Sequence, residues 1–313
     1  MKPITRRHLL HIASAVGLGV SGSGSVKSAT LQDHITLSFG TYGMRTLKLE
    51  RAIQTLAQIG YDGLELMTAP NWDATPANMS PTRRQEARKR LDAEGLTLTA
   101  LMENLHPSRE DATHRTGLER LKQVVELGRA LAPETPPLIQ TVLGSGKWDQ
   151  VKDLFLQRLA DWQELAEKED ALIAIKPHRG GGMSRPQEAI WLIDQLGKGS
   201  RIRMVYDYSH YAFRNMNLEN TVATALPYTA HIAVKDTIQK GTATTFVLPG
   251  ESGNMDYDRL LSMFFRGGYR GDVCCEVSSA VWRQPGYDPL VAAATCYRNM
   301  STAFTRQKIP RPH

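Results

Sequence analysis

The groups in this 313-residue chain that could do chemistry are acids, imidazoles and lysines at the ends of short apolar runs. Glu65 lies in the run 63–67, and Glu103 follows the run 96–102. Lys176 and His178 close a third in Ile175-Lys176-Pro177-His178. Asp207 and His210 close a fourth, His231 and Lys235 bracket a fifth, and Glu276 lies in the last. Carboxylates and imidazoles carry protons between carbon and solvent, while a lysine polarises a carbonyl oxygen or attacks it as an amine. Taken singly, each has a structural explanation: a rim salt bridge for Glu65, a satisfied interior imidazole for His231, a solvated pair for Lys235-Asp236. Their recurrence at one end of successive runs is what points to a site.

Eight β-rich runs must position these groups: 35–41, 63–67, 96–102, 138–143, 172–176, 202–207, 231–235 and 272–277. Helical periodicity fills the intervals, as in Leu47, Ile53, Leu56 and Ile59, or Leu118, Leu121, Val124, Val125 and Leu127. Further helices are predicted over 151–168, 187–196, 257–265 and 289–304, with Ser80-Pro81 and Ser184 before Pro186 as starts. Gly60, Gly95, Gly128 and Gly197 stand where stops are expected. Strand–helix alternation with short links implies a parallel sheet with right-handed crossovers. Eight units favour closure, so the fold class is α/β, a single (β/α)8 TIM barrel over residues 30–313. No Gly-x-Gly-x-x-Gly follows the first run and no phosphate-binding Gly-Lys-Ser/Thr loop exists, which weakens a nucleotide-binding reading.

Gly60-Tyr61-Asp62-Gly63-Leu64-Glu65-Leu66, Asp207-Tyr208-Ser209-His210, Ala233-Val234-Lys235-Asp236, Leu248-Pro249-Gly250-Glu251-Ser252-Gly253 with Asp256, and Gly268-Tyr269-Arg270-Gly271 leading to Glu276 stand in a telling order. Over residues 35–304 the chain resembles the xylose-isomerase-like TIM barrels, the sugar phosphate isomerases/epimerases. The resemblance implies one divalent cation (Mn, Zn, Co or Mg) held by Glu, Asp, His and Glu from strands five to eight. Asp207 and Glu276 match two of those ligand positions, whereas the other two hold Lys176 and Ala233. His231 lies about 6.6 Å deeper on the Ala233 strand, at the usual rise per residue. No cofactor is therefore certain, and metal through Asp207 and Glu276 depends on whether a cation is retained. The alternative expectation is that the Lys176 ammonium replaces the cation between those carboxylates. The catalytic candidates are Lys176, His178, Glu65 and Glu103, and the substrate-binding ones are His210, Lys235 and His231; of these, His178 and His210 match positions that contact substrate in the family it resembles.

The formal charge of +6 comes largely from residues 1–29, where Lys2, Arg6, Arg7 and Lys27 meet no acid. The remainder carries 34 bases against 32 acids and lacks the basic field that a phosphate backbone requires, so nucleic acid is not expected as a partner. An apurinic endonuclease on the same barrel is disfavoured for that reason. Arg6-Arg7 before the apolar stretch 9–20 and a Ser/Gly run reads as a twin-arginine signal peptide over residues 1–29. It predicts recognition by the export machinery, a periplasmic or extracellular location and no stable membrane anchor. Three cysteines show no zinc-type spacing, and the neighbours Cys274 and Cys275 would point to opposite faces of a strand. The expectation is an exported sugar isomerase/epimerase-like enzyme acting on a small carbohydrate or keto-glycoside by isomerisation, epimerisation or β-elimination. A non-catalytic carbohydrate-binding protein on a degenerate barrel is the alternative.

Overall fold

The computed structural model describes residues 33–214, 216–241 and 243–312; the signal-peptide reading lies outside them. Eight parallel strands close a barrel: β1 Thr36–Gly40, β2 Gly63–Met67, β3 Thr97–Met102, β4 Leu138–Thr141, β5 Leu172–Ile175, β6 Ile202–Tyr206, β7 Thr229–Val234 and β10 Asp272–Cys275. The seam pairs β1 with both β2 and β10, Thr36 opposing Asp272 and Ser38 opposing Gly63. The single (β/α)8 barrel is therefore present as its alternating pattern implied. The outer ring is α1 Leu49–Ile59, α2 Pro81–Glu94, α3 Asp111–Leu131, α4 Trp148–Lys168, α5 Pro186–Gln195, α6 Leu218–Ala225, α7 Tyr257–Arg266 and α9 Pro289–Arg306. A single-turn helix, α8 Ser279–Trp282, precedes α9. No helix among the described residues is long and apolar enough to cross a membrane.

The helices form because each lays an apolar stripe on the strands. In α1, Leu49, Ala52, Ile53 and Leu56 are buried, one or two per turn on one face. Ser80 caps α2 by accepting from the Arg83 amide at 3.2 Å, with Pro81 in the first turn. Gly60 ends α1 at φ 104°, a left-handed conformation that costs glycine little. Gly128 does not stop its helix. It lies inside α3, where a Cβ would come within 2.8 Å of Leu101 and Pro137, so its role is close approach to the barrel.

The sequence reading named neither α6 nor α8, and it missed a hairpin. After β7 the chain forms an antiparallel hairpin, β8 Asp236–Lys240 and β9 Ala243–Val247, with Lys240 opposite Ala243. Gly241 between two alternating segments is a hairpin signal that the eight-unit reading absorbed into a loop. The cysteine reading holds: all three are free and buried, Cys275 within the apolar core and Cys274 on the barrel side.

The C-terminal tail locks the seam. Arg311 forks onto Asp62, donating from Nε at 2.8 Å and from Nη2 at 2.7 Å. Asp62 also accepts from the Leu37 amide at 2.8 Å, and Pro310 accepts from the Ile35 amide. Breaking a buried bidentate pair from one side leaves the other charge without a partner. Asp62→Ala is expected to lower stability by about 3 kcal/mol, read from the urea midpoint at unchanged slope. Wild-type stability in that variant would show that the clamp contributes nothing.

Candidate functional site

The chemistry-bearing residues meet at the carboxyl ends of β5, β6, β7 and β10, where any parallel barrel gathers its strand ends. Lys176 follows β5, Asp207 follows β6, Lys235 follows β7 and Glu276 follows β10. The Lys235 ammonium stands 2.9 Å from Asp207 and touches Glu276, and Lys176 hydrogen-bonds the other Glu276 oxygen while standing 3.8 Å from Asp207. All four side chains are buried. Two positive and two negative charges thus fill one dry volume and cancel.

Local backbone geometry brings His210 into the same group. Asp207 accepts from the amide and hydroxyl of Ser209, at 3.1 and 2.6 Å, which winds residues 208–210 into a single 3-10 turn. That turn carries His210 back over Asp207, with Nε2 at 3.3 Å from Oδ2. The His178 and His210 rings lie 4.1 Å apart. His178 Nδ1 accepts from the Gly180 amide and His210 Nδ1 from the Arg179 amide, so both neutral imidazoles carry their proton on Nε2. The hairpin adds what sequence reading missed: Phe246 of β9 lies 5.4 Å from the Lys235 ammonium and 5.8 Å from the His210 ring. Arg179 also stands beside Phe246, at 5.4 Å. Asp236 does not join the cluster; Tyr257 and Ser252 hold it, pinning the glycine loop after the hairpin.

The remaining candidates fall into two other places. Glu65 and His231 sit inside the barrel, Nε2 of the imidazole 3.2 Å from a Glu65 oxygen, with Gln140 donating to that oxygen at 2.9 Å. Gln140 was not singled out, since an amide within a run carries no motif. Glu103 is held apart by Arg120 of α3, which donates at 3.0 Å, and by Thr68. Of the tryptophans, Trp72 and Trp282 meet Tyr42 and each other at 5.2–6.0 Å, whereas Trp148 packs on Trp191.

A family-type divalent cation does not fit this level of the barrel. Strand five supplies a lysine, strand seven supplies Ala233, and the two surviving carboxylates are both engaged by ammonium groups. At equal distance an ammonium repels a divalent cation twice as strongly as it attracts a carboxylate. The expected replacement of the ion by Lys176 alone becomes a replacement by two lysines, Lys235 taking the position nearer Asp207.

Burial raises the Glu276 carboxyl, but Lys176 and Lys235 outweigh it and bring it down from 4.5 to about 2. Burial likewise opposes ionisation of Asp207, and Lys235, His210 and Lys176 hold it well below the carboxylate range. The imidazoles go the same way for a different reason. Burial, with neighbouring positive charge, lowers His178 from 6.5 to about 3 and His210 from 6.5 to about 4. In all four groups the unfolded chain binds protons more readily than the folded one, so stability is lost as pH falls. The histidines begin this loss near pH 6.5, and the carboxylates extend it from about 4.5 towards 2. A two-stage acid limb in urea-unfolding stability is expected, with His178→Gln weakening the upper stage and Glu276→Gln the lower. A flat profile between pH 7 and 4 would contradict the imidazole assignment.

The model of the xylose isomerase-like TIM barrel family matches residues 53–298. Among solved structures, the chain is similar to an IOLI protein with a bound zinc atom, 17% identical with a TM-score of 0.73, over 87% of this chain and 99% of that one. It is similar to the 3-keto-D-glucoside 4-epimerase YcjR from E. coli, 13% identical with a TM-score of 0.65, over 86% and 99%. A xylose isomerase-like TIM barrel/4-hydroxyphenylpyruvate dioxygenase fusion protein matches at 17% identity and a TM-score of 0.69, over 88% of this chain, which spans only 43% of that one. At these identities the solved structures speak for the fold alone. No curated protein matches. With the family model covering most of the barrel, the chain belongs to the xylose isomerase-like TIM barrel family.

Proposed function

We propose that the protein is a sugar isomerase/epimerase-like enzyme that removes a proton beside a carbonyl of a small carbohydrate. The observation that carries this reading is the pair of ammonium groups, Lys176 and Lys235, sharing Asp207 and Glu276. Negative charge grows on the carbonyl oxygen as the neighbouring C–H bond breaks, and preformed positive groups stabilise it. The lysine pair supplies that charge, and the Nε2–H groups of His178 and His210 are further donors. Glu276, which both ammonium groups touch, is the carboxylate placed to receive the proton once substrate oxygens take over part of its ammonium contacts. Phe246 excludes water from the pair, which strengthens each electrostatic contact.

A keto-glycoside or free ketose is the proposed substrate, with isomerisation, epimerisation or β-elimination as outcome. The solved 3-keto-D-glucoside 4-epimerase of the same fold supports that choice. Export is part of the proposal: Arg6-Arg7 ahead of the apolar stretch addresses the chain to the periplasm or the exterior, where unphosphorylated sugars are the available class. The saturation of both carboxylates by ammonium groups favours a second reading, carbohydrate binding without turnover.

Incubation with 3-ketoglucosides and ketoses in deuterium oxide, followed by proton NMR, separates the two. Wild-type protein is expected to exchange the hydrogen next to the carbonyl, and Lys235→Met to slow this by about 10²–10³-fold, as loss of one preformed donor does. Binding without exchange across the panel would select the second reading. Replacing Arg6 and Arg7 together by lysine is expected to retain the protein in the cytoplasmic fraction; unchanged export would exclude the twin-arginine address.

A further inference from the structure

Nearer the amino ends of the strands, with Cys274 two residues before Glu276 on β10 and His231 four residues before Lys235 on β7, the barrel holds a second polar group. Glu65, His231 and Cys274 each offer a donor atom there, all within 4.8 Å of one another. The three residues are at most 1% exposed. One Glu65 oxygen, both His231 nitrogens and the Gln140 carboxamide oxygen are buried without an aligned hydrogen-bond partner. A buried carboxylate so poorly matched is costly unless something positive faces it. Gly40 leaves the space open: a Cβ there would lie 3.1 Å from that Glu65 oxygen and 3.6 Å from the Cys274 sulfur.

We infer that Glu65, His231 and Cys274 form a buried zinc(II) site inside the barrel, below the lysine pair. The donor chemistry selects the ion. Zinc accepts carboxylate, imidazole and thiolate together, whereas magnesium and calcium take oxygen ligands. Tetrahedral zinc at its ordinary bond lengths sets such ligands about 3.3–3.6 Å apart, which these side chains reach by closing about 1 Å. Asp272 stands 4.0 Å from His231 Nδ1, on the far side of the ring from Glu65, the arrangement by which a carboxylate orients a zinc-bound imidazole. Gln140 plays the same part for Glu65 by donating to its second oxygen. On binding, the Cys274 S–H bond breaks, the sulfur keeps the electron pair for the zinc–sulfur bond, and the proton leaves to solvent. Zinc with one carboxylate, one thiolate and a neutral imidazole is electroneutral, which suits a closed interior. The site stands whether or not the lysine pair performs catalysis.

The test uses the full chain, folded and assayed for metal by mass spectrometry after growth with zinc. About one zinc per chain is expected, and cobalt(II) exchanged into the site should show a near-ultraviolet sulfur-to-cobalt charge-transfer band. Cys274→Ser should abolish the band and weaken zinc binding by at least tenfold, and His231→Gln should weaken zinc binding similarly. Asp207→Asn and Glu276→Gln should keep the zinc. Folded wild-type protein without zinc, or cobalt bound without the sulfur band, would overturn the inference. So would metal lost with Glu276→Gln but kept with Cys274→Ser. The wild-type cobalt spectrum decides the matter even if a variant fails to fold.

Discussion

Two ammonium groups and two carboxylates occupy one dry volume at the mouth of the barrel, and neither pair could be there without the other. An isolated ion in such a place would be neutralised or expelled. The balance explains why the departures from the family's ligand pattern come together. Losing the strand-five acid and the strand-seven imidazole removes an attraction for a dication, and gaining Lys176 beside Lys235 restores the lost positive charge. Lysine differs from a metal in its reach, since its charge sits on a flexible stem and donates hydrogen bonds in directions set by the acceptors.

The surrounding elements hold that balance in place. The Asp207–Ser209 contacts fix the turn that returns His210, and the anchoring of Asp236 by Tyr257 and Ser252 fixes where the hairpin departs. Phe246 then shields Lys235 from one side. Each of these residues works through geometry, keeping the charged atoms near one another and water away.

The barrel was legible because its signal is repeated eight times: buried parallel strands read as short apolar runs, and the helices between them carry stripes. The convergence of Lys176, Asp207, His210 and Glu276 was legible for the same reason, since strand ends share one face of the molecule. Less accessible was the division of labour. Nothing in the sequence separates Glu103, tied to Arg120, from Glu65, which faces His231 and Gln140, because both read as an acid at a strand end. The inner group escaped for a topological reason. Its members come from β2, β7 and β10, so no spacing along the chain relates Cys274 to Glu65, and a search for paired cysteines passes over it. The hairpin was hidden by its position, inside an interval already assigned as a connection between strand and helix.

The tail clamp sets a condition on how the molecule comes into being. Arg311 reaches back 249 positions to Asp62, and β1 gains its second neighbour only when β10 arrives. Contacts this distant in sequence are the slow ones to form. Until β10 has been made and has docked, the first strand keeps an open edge where the cylinder will close. Closure of the barrel and docking of the tail clamp are therefore late steps in folding.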